Sequence, residues 1–172
     1  MRISEGGTIE VKSASLFSGY SGLDPSVCDM RDDGWLDTGD LGALDADGYL
    51  YVYGRKKNVL CLPNGRNVFP EQVESDLRKF HGVRDAVVFL DQVDGLVALI
   101  ISEPNLDRGS LEVWSQSQFS DIERPSHLWL IPFDDSSLST FYTVTDRPKR
   151  TEIANLYLQR NAQTQIAKDA IR

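Results

Sequence analysis

The chain is poor in the residues from which compact metal and hydrolytic sites are built. Its 172 residues include only two histidines and two cysteines. Cys28 and Cys61 lie far apart and match no metal-ligand spacing, so we interpret them as free thiols of a reducing, cytoplasmic compartment. With only His81 and His127 as imidazoles, a zinc centre or a Ser-His-Asp triad has little support. We therefore predict no metal site in this chain.

Positive charge and long apolar runs are also scarce. The 18 lysines and arginines face 26 aspartates and glutamates, which gives a formal net charge of −8. This balance disfavours nucleic acid and anionic membrane surfaces as general partners. No apolar run approaches the length of a membrane span, and the N-terminus lacks a signal-peptide pattern. We predict no nucleic-acid partner and no transmembrane segment.

The most informative stretch runs from Gly34 to Glu74. Its segment Asp37-Thr38-Gly39-Asp40 predicts a compact polar turn that leaves the Asp40 carboxylate free to bind vicinal hydroxyls, such as those of a ribose. The aromatic run Tyr49–Tyr53 then predicts a strand. Three cations follow in Gly54–Asn58, and a solvated basic turn is the plainest interpretation of them.

A hairpin and a helix complete this stretch. Asn64-Gly65 predicts a two-residue type I′ turn between strands at residues 59–62 and 66–69, because both central positions of that turn need positive φ. Pro70 then begins a helix that we expect to reach Phe80, with Glu71 and Glu74 near its positive end.

In this order, the stretch resembles the adenylate-forming (AMP-binding) ligases, which include acyl-CoA synthetases, luciferases and peptide-synthetase adenylation domains. The matching residues are Gly34-Trp35, Thr38-Gly39-Asp40, Asp47-Gly48-Tyr49, Gly54-Arg55, Gly65, Pro70 and Glu74. The segment Asn64–Pro70 looks most like long-chain fatty acyl-CoA synthetases. Complete members of this family are longer and carry a Ser/Thr/Gly-rich phosphate loop, which is absent from these 172 residues.

The resemblance implies a C-terminal region with two parts. Residues 1–53 would be a β-rich remnant of the large N-terminal domain, with a strand at Thr8–Leu16 and a loop at Ser21–Asp33. Residues 54–172 would be the mobile C-terminal α+β domain, turning about a hinge near residues 55–58. We expect a β-hairpin plus a short three-stranded sheet flanked by helices.

The pattern of the second part agrees with this fold class. Asp85–Leu90 and Leu96–Ser102 predict an antiparallel hairpin through Asp94-Gly95, and their nearly continuous apolar character predicts burial on both faces. The remaining expected elements are a helix capped by Ser110 and ending near Phe119, a strand at His127–Phe133, a polar loop at Asp134–Thr140 and a last helix capped by Thr151.

The family resemblance also implies site roles. Asp40 would hold the ribose of the nucleotide, and Arg55 would contact its ribose or phosphate. Lys57 would be the hinge residue, since a lysine stays solvated while its backbone turns. Asn64, Gly65 and Arg66 would lie along the path of the coenzyme A thiol.

The family's catalytic lysine follows a glycine in a motif of the form Thr-x-Thr-Gly-Lys-hydrophobic-x-Arg. Thr143, Thr145 and Arg150 match it, but Asp146 stands at the glycine and Arg147 at the lysine. A two-residue slip would offer Lys149 instead. Either cation could stabilise the charge that builds on the carboxylate and the α-phosphate. A basic surface loop without catalytic function is the plain alternative.

The implied protein is an acyl-CoA synthetase-like acid–thiol ligase. It would activate a carboxylic acid, for which a fatty acid is the expected class, with ATP to an acyl-adenylate and transfer the acyl group to CoA. It would use ATP/AMP and Mg²⁺, and its partner would be the missing N-terminal domain of the same polypeptide. The isolated chain is expected to be inactive. Two alternatives stay open, which are an adenylation domain that loads a carrier protein and a degenerate or stand-alone, non-catalytic binding module.

Overall fold

The computed structural model describes residues 1–17, 21–22, 30 and 33–169, without the side chains of residues 135, 137 and 164–169. It divides into two compact units, Met1–Val59 and Leu60–Arg172. Most of the loop predicted at Ser21–Asp33, including Cys28, lies outside the described residues.

The first unit is an antiparallel sheet in the strand order β1-β2-β3-β4. Its strands are β1 (Arg2–Ile3), β2 (Thr8–Val11), β3 (Leu36–Leu44) and β4 (Leu50–Arg55), and a short 3-10 helix (Lys56–Asn58) follows. The strand predicted from Thr8 is therefore shorter than expected and ends at Val11. The strand predicted at Tyr49–Tyr53 is confirmed as β4 and continues through Gly54 and Arg55.

The polar turn predicted at Asp37–Asp40 is wrong, because these residues lie within β3. The pairing with β2 jumps from Glu10↔Asp37 to Thr8↔Leu41, so the residues between Asp37 and Leu41 form a bulge. Gly39 supplies the positive φ of 71° that this irregularity needs. Its N–H donates to Asp37 Oδ1 at 2.8 Å, so the carboxylate satisfies a backbone donor that the ladder leaves out.

The second unit has the α+β architecture predicted for it, with a small hairpin and a three-stranded sheet flanked by helices. Its elements are β5 (Leu60–Cys61), β6 (Asn67–Val68), α1 (Pro70–Leu77), β7 (Val83–Asp91), β8 (Gly95–Ser102), α2 (Arg108–Gln118), β9 (His127–Pro132), α3 (Asp135–Phe141) and α4 (Arg150–Asp169).

The three-stranded sheet runs β7-β8-β9 and is buried on both faces, as the apolar runs predict. β7 and β8 are antiparallel, and β9 joins β8 in parallel. One core cluster contains Val88, Ile100 and residues of α1 and α2, whereas Val87 and Leu99 pack on the other face with residues of α3 and α4. Alternate side chains of each strand therefore enter different cores.

Two boundaries at the first two helices differ from the sequence interpretation. α1 ends at Leu77, not at Phe80, since Lys79 and Phe80 make shorter, 3-10-type bonds to Asp76 and Leu77. Phe80 still packs against the core. α2 is capped by Asp107 rather than Ser110, because the Asp107 carboxylate accepts from Ser110 N at 2.9 Å.

Two further predictions fail between β9 and the C-terminus. The segment expected as a polar loop at Asp134–Thr140 contains α3, whose last residue Phe141 is buried. α4 begins at Arg150, so Thr151 lies inside the helix instead of capping it. Among the described residues, no helix is both long and apolar enough to cross a membrane.

Candidate functional site

Asp40 and Arg55 are brought together across β3 and β4. The two residues face each other in the strand register, and Arg55 Nε lies 2.9 Å from Asp40 Oδ1. Arg55 Nη1 also donates to the carbonyl of Thr38 at 3.1 Å. The expectation of a free Asp40 carboxylate is therefore wrong in this structure. Both side chains remain partly exposed, at 30% for Asp40 and 50% for Arg55, so the pair presents acceptor and donor atoms to solvent.

Lys57 lies in the 3-10 helix directly after β4 and is exposed. The last residue of the first compact unit is Val59, two positions later. The assignment of Lys57 as a hinge, and of the preceding and following residues to separate domains, stays a prediction.

Asn64, Gly65 and Arg66 form an exposed turn between β5 and β6, but not of type I′. Gly65 has a φ of 78°, whereas Asn64 does not have positive φ. Gly65 N donates to Leu62 O at 2.9 Å, and Leu62 N donates to Arg66 O at 2.8 Å. These bonds define a type I turn followed by a left-handed residue, the G1-bulge form of a three-residue hairpin loop.

The segment Thr143–Arg147 has the same turn as Leu62–Arg66. Asp146 N donates to Thr143 O at 3.0 Å, and Thr143 N donates to Arg147 O at 2.9 Å. Asp146 occupies the left-handed position with a φ of 54°, and among the described residues it is the one non-glycine with positive φ. A bridge between Tyr142 and Pro148 closes the base of this turn. The backbone at Asp146 is therefore glycine-like, although the residue is an aspartate.

Arg147 and Lys149, the two candidates for the charge role, have different surroundings. The Arg147 side chain is exposed, and within the described part of the chain its guanidinium makes no ion pair. Lys149 Nζ lies 3.3 Å from Ser139 O and 3.4 Å from Thr140 O, and 3.9 Å from a Glu152 carboxylate oxygen. Lys149 thus satisfies carbonyls at the end of α3, which favours Arg147 as the available cation.

Behind this turn lies a buried ion pair between Glu74 of α1 and Arg150, the first residue of α4. Arg150 Nη1 donates to Glu74 Oε1 and, at 2.9 Å, to Val88 O, and Nη2 donates to Glu74 Oε2 at 3.0 Å. Val88 N donates to Glu74 Oε1 at 2.7 Å. The side chains are only 6% and 18% exposed. Burial raises the pKa of Glu74, although the Arg150 guanidinium acts against that rise.

Sequence reasoning missed this pair. It identified Glu74 as a residue of the first helical turns and Arg150 as a motif match, but it did not connect them. The two residues are separated by 76 positions. Both residues match the family motifs, and this is the sequence signal that points to a contact between them.

The candidate residues thus fall into two groups. Asp40, Arg55 and Lys57 belong to the first unit, and Gly65 and Arg147, with their neighbours, belong to the second. No group of three or more His, Cys, Asp or Glu side chains that could hold a metal ion is found among the described residues.

The resemblance to adenylate-forming ligases is confirmed, in sequence and in fold. The chain is 37% identical over 116 residues to the long-chain-fatty-acid–CoA ligase FadD15 of Mycobacterium tuberculosis. That match covers 67% of this chain and 19% of the relative. The chain is also 27% identical over 135 residues to 2-succinylbenzoate–CoA ligase of Listeria monocytogenes, and this second match covers 76% of the chain and 29% of that relative. No family model matches the chain.

Solved structures agree with this relationship. ATP-bound MatB from Rhodopseudomonas palustris superposes with a TM-score of 0.68 at 26% identity, over 88% of this chain and 30% of that structure. Amide bond synthetase McbA from Marinactinospora thermotolerans gives the same TM-score at 23% identity, and this likeness concerns the fold alone. The chain spans less than a third of the length of each of these proteins.

Proposed function

We propose that the chain is the C-terminal part of an acyl-CoA synthetase-type ligase. The complete protein would condense a carboxylic acid with ATP to an acyl-adenylate, release pyrophosphate and pass the acyl group to the thiol of CoA. The match to a long-chain-fatty-acid–CoA ligase favours a fatty acid as the substrate class. The remaining domain of the same polypeptide would supply the phosphate loop and the acyl pocket.

The observation that carries this proposal is the turn at Thr143–Arg147. Its left-handed residue, Asp146, stands where the family motif has glycine, and its next residue is an exposed arginine. This geometry supports the alignment that places Arg147 at the position of the lysine. A guanidinium there keeps the positive charge that the adenylation step requires, although its planar fork differs from a compact ammonium group.

The Asp40–Arg55 pair has the donor and acceptor set that a nucleotide requires. A carboxylate accepts from vicinal ribose hydroxyls, and a guanidinium donates to ribose or phosphate oxygens. Because the pair is partly exposed, AMP could replace the mutual contact of the two side chains with contacts of its own. We expect Asp40→Asn and Arg55→Gln to weaken ATP binding more than CoA binding in the complete ligase.

Gly65 is proposed to border the thiol path. A Cβ at Gly65 would have no other atom of the chain within 4 Å, so a side chain there would project into open space. In the complete ligase we expect Gly65→Leu to slow thioester formation while adenylation continues. Equal loss of both half-reactions would argue against this role.

The decisive experiment is acyl-adenylate formation by the complete protein, with unsubstituted enzyme compared with Arg147→Ala and Lys149→Ala. We expect loss with Arg147→Ala and retention with Lys149→Ala. The reverse result would transfer the charge role to Lys149. Residues 1–172 alone are expected to be inactive, and ATP–pyrophosphate exchange by this chain alone would contradict the proposal.

A non-catalytic binding module is the second candidate, and the sequence Asp146-Arg147-Pro148 favours it. This segment departs from the glycine and lysine of the motif, and Pro148 stiffens a loop that must enter an active site. Absence of adenylation by the unsubstituted complete protein, tested over short and long acids, would select this function.

A third possibility, a domain that loads a carrier protein, predicts acyl transfer to a phosphopantetheine carrier but not to free CoA.

A further inference from the structure

The turn that carries Arg147 is fixed to the second unit at its two ends. Before the turn, Phe141 is buried at 7% exposure and contacts Trp129 in an edge-to-face arrangement. After it, Lys149 N donates to Phe141 O at 2.9 Å, and Arg150, whose side chain is 18% exposed, joins Glu74 three residues beyond Arg147. Between these points, the turn residues 143–147 are all exposed. Arg150 is therefore one of the anchors that set the position of Arg147, together with Phe141 and the Tyr142–Pro148 bridge.

We propose that Glu74 and Arg150 form a positioning pair that orients the Arg147 turn for adenylation. The paired fork of the guanidinium binds both oxygens of one carboxylate and the carbonyl of Val88, so it fixes direction as well as distance. Pro148 leaves little rotational freedom between Arg147 and this anchor. The proposal rests on the proposed function only for what Arg147 does.

A positioning role explains why a charged pair is kept at this buried place. Removing two charges from water is costly, and a buried ion pair contributes little net stability compared with well-packed apolar side chains. Glu71 adds a second carboxylate 3.7 Å from Arg150 Nη2, so the guanidinium is surrounded by acceptors on the α1 side. Apolar side chains in place of Glu74 and Arg150 would fill the same volume, but they would not fix the orientation of the turn that precedes Arg150.

The chain contains a matched reference for testing this idea. The Leu62–Arg66 turn has the same hydrogen bonds and the same left-handed position, but within the described part of the chain no hydrogen bond or ion pair links its flanking strands to Arg150. Loss of the pair should affect the Thr143–Arg147 turn selectively. A general loss of stability should affect both turns and the central sheet alike.

The first test measures amide hydrogen exchange in residues 1–172 at Thr143 and Leu62, the donors that close the two turns. The variants are Glu74→Gln, which removes the carboxylate charge, and Arg150→Lys, which removes the planar guanidinium. Both substitutes can still form hydrogen bonds. We expect Thr143 to exchange about tenfold faster relative to Leu62 in either variant. The control is Leu128→Ala, which opens a cavity in the core at a residue distant in sequence from the pair. It should accelerate exchange of both amides equally.

A uniform acceleration in Glu74→Gln and Arg150→Lys, or an unprotected Thr143 amide in the unsubstituted chain, would overturn the inference. Because this measurement needs no catalysis, it stands even if the proposed function fails. Arg150→Lys keeps a buried cation opposite Glu74, so it remains testable if the glutamine variant does not fold.

The second test separates the half-reactions in the complete ligase. We expect Arg150→Lys to lower kcat for adenylation at least about tenfold with little change in KM for ATP, since a misplaced cation loses transition-state stabilisation rather than ground-state binding. Thioester formation from supplied acyl-adenylate should stay near normal. Equal loss of both half-reactions would indicate a structural role only. Inactivity of the unsubstituted ligase would refute the proposed function and leave the exchange result unaffected.

Discussion

Exchanging the left-handed residues of the two matched turns should change stability in opposite directions. Asp146→Gly relieves a left-handed conformation that costs an L-residue about 1–2 kcal/mol. Glycine has more freedom in the unfolded chain, which offsets about 0.5–1 kcal/mol of this gain. We therefore expect Asp146→Gly to stabilise the second unit by roughly 0.5–1 kcal/mol, and Gly65→Asp to destabilise it by a similar amount.

The structure makes this exchange a clean test of backbone conformation. A Cβ at Gly65 meets nothing within 4 Å, so Gly65→Asp introduces no collision. The φ values are 78° at Gly65 and 54° at Asp146, and both turns have the same hydrogen bonds. The double variant should therefore be nearly as stable as the original chain, provided that the two sites act independently.

The assay is urea unfolding followed through the amide signals of β8, which report on the second unit. Asp146→Asn serves as the charge control, because asparagine tolerates the left-handed region but carries no charge. We expect Asp146→Asn to leave the unfolding midpoint nearly unchanged. Destabilisation by Asp146→Gly, or equal shifts with Asp146→Asn and Asp146→Gly, would refute the backbone argument and assign the effect to the carboxylate.

Three further predictions concern other parts of the chain. Contacts with Ser110 lower the pKa of Asp107, so the ionised cap stabilises the fold above the unfolded-state pKa, and this stabilisation is lost as pH falls through the lower folded-state pKa. Asp107→Asn should reduce this loss of stability in acid, measured as the urea midpoint against pH. Gly42→Ala should disrupt the first unit, because its Cβ would lie 2.4 Å from Tyr51 O, whereas Gly6→Ala should be tolerated. Amide hydrogen exchange in β3 should be accelerated by Gly42→Ala and unchanged by Gly6→Ala. Ile153→Ala, at a fully buried position, should lower the free energy of unfolding by about 2–5 kcal/mol in calorimetry or urea titration.

The central sheet was predictable because its signals are local. The runs at Asp85–Leu90 and Leu96–Ser102 show no polar–apolar alternation and are nearly continuously apolar, which indicates strands covered on both faces. Pro70 likewise indicated the start of α1. The family motifs identified Asp40 and Arg55, and the register of β3 and β4 places them face to face.

What the sequence could not predict depends on contacts distant along the chain. The α3 segment is rich in serine and aspartate, which are poor helix formers, yet the burial of Phe141 and the contacts of Lys149 with its last carbonyls support a helix there. The bulge in β3 arises from the pairing of β3 with β2, and local turn residues do not predict that pairing. The Glu74–Arg150 pair became visible only when the fold brought α1 and α4 together.

The parallel pairing of β8 with β9 has a consequence for the order in which the second unit folds. β7 and β8 are neighbours in sequence and are joined by a turn of only three residues, 92–94, one residue before the predicted Asp94-Gly95, so their contacts cost little loop-closure entropy. β9 meets β8 only after the chain has passed through α2 and returned. We expect the β7–β8 hairpin to form in the rate-limiting transition state and β9 to dock later, so that substitutions in β9 chiefly speed unfolding while those in the hairpin slow folding.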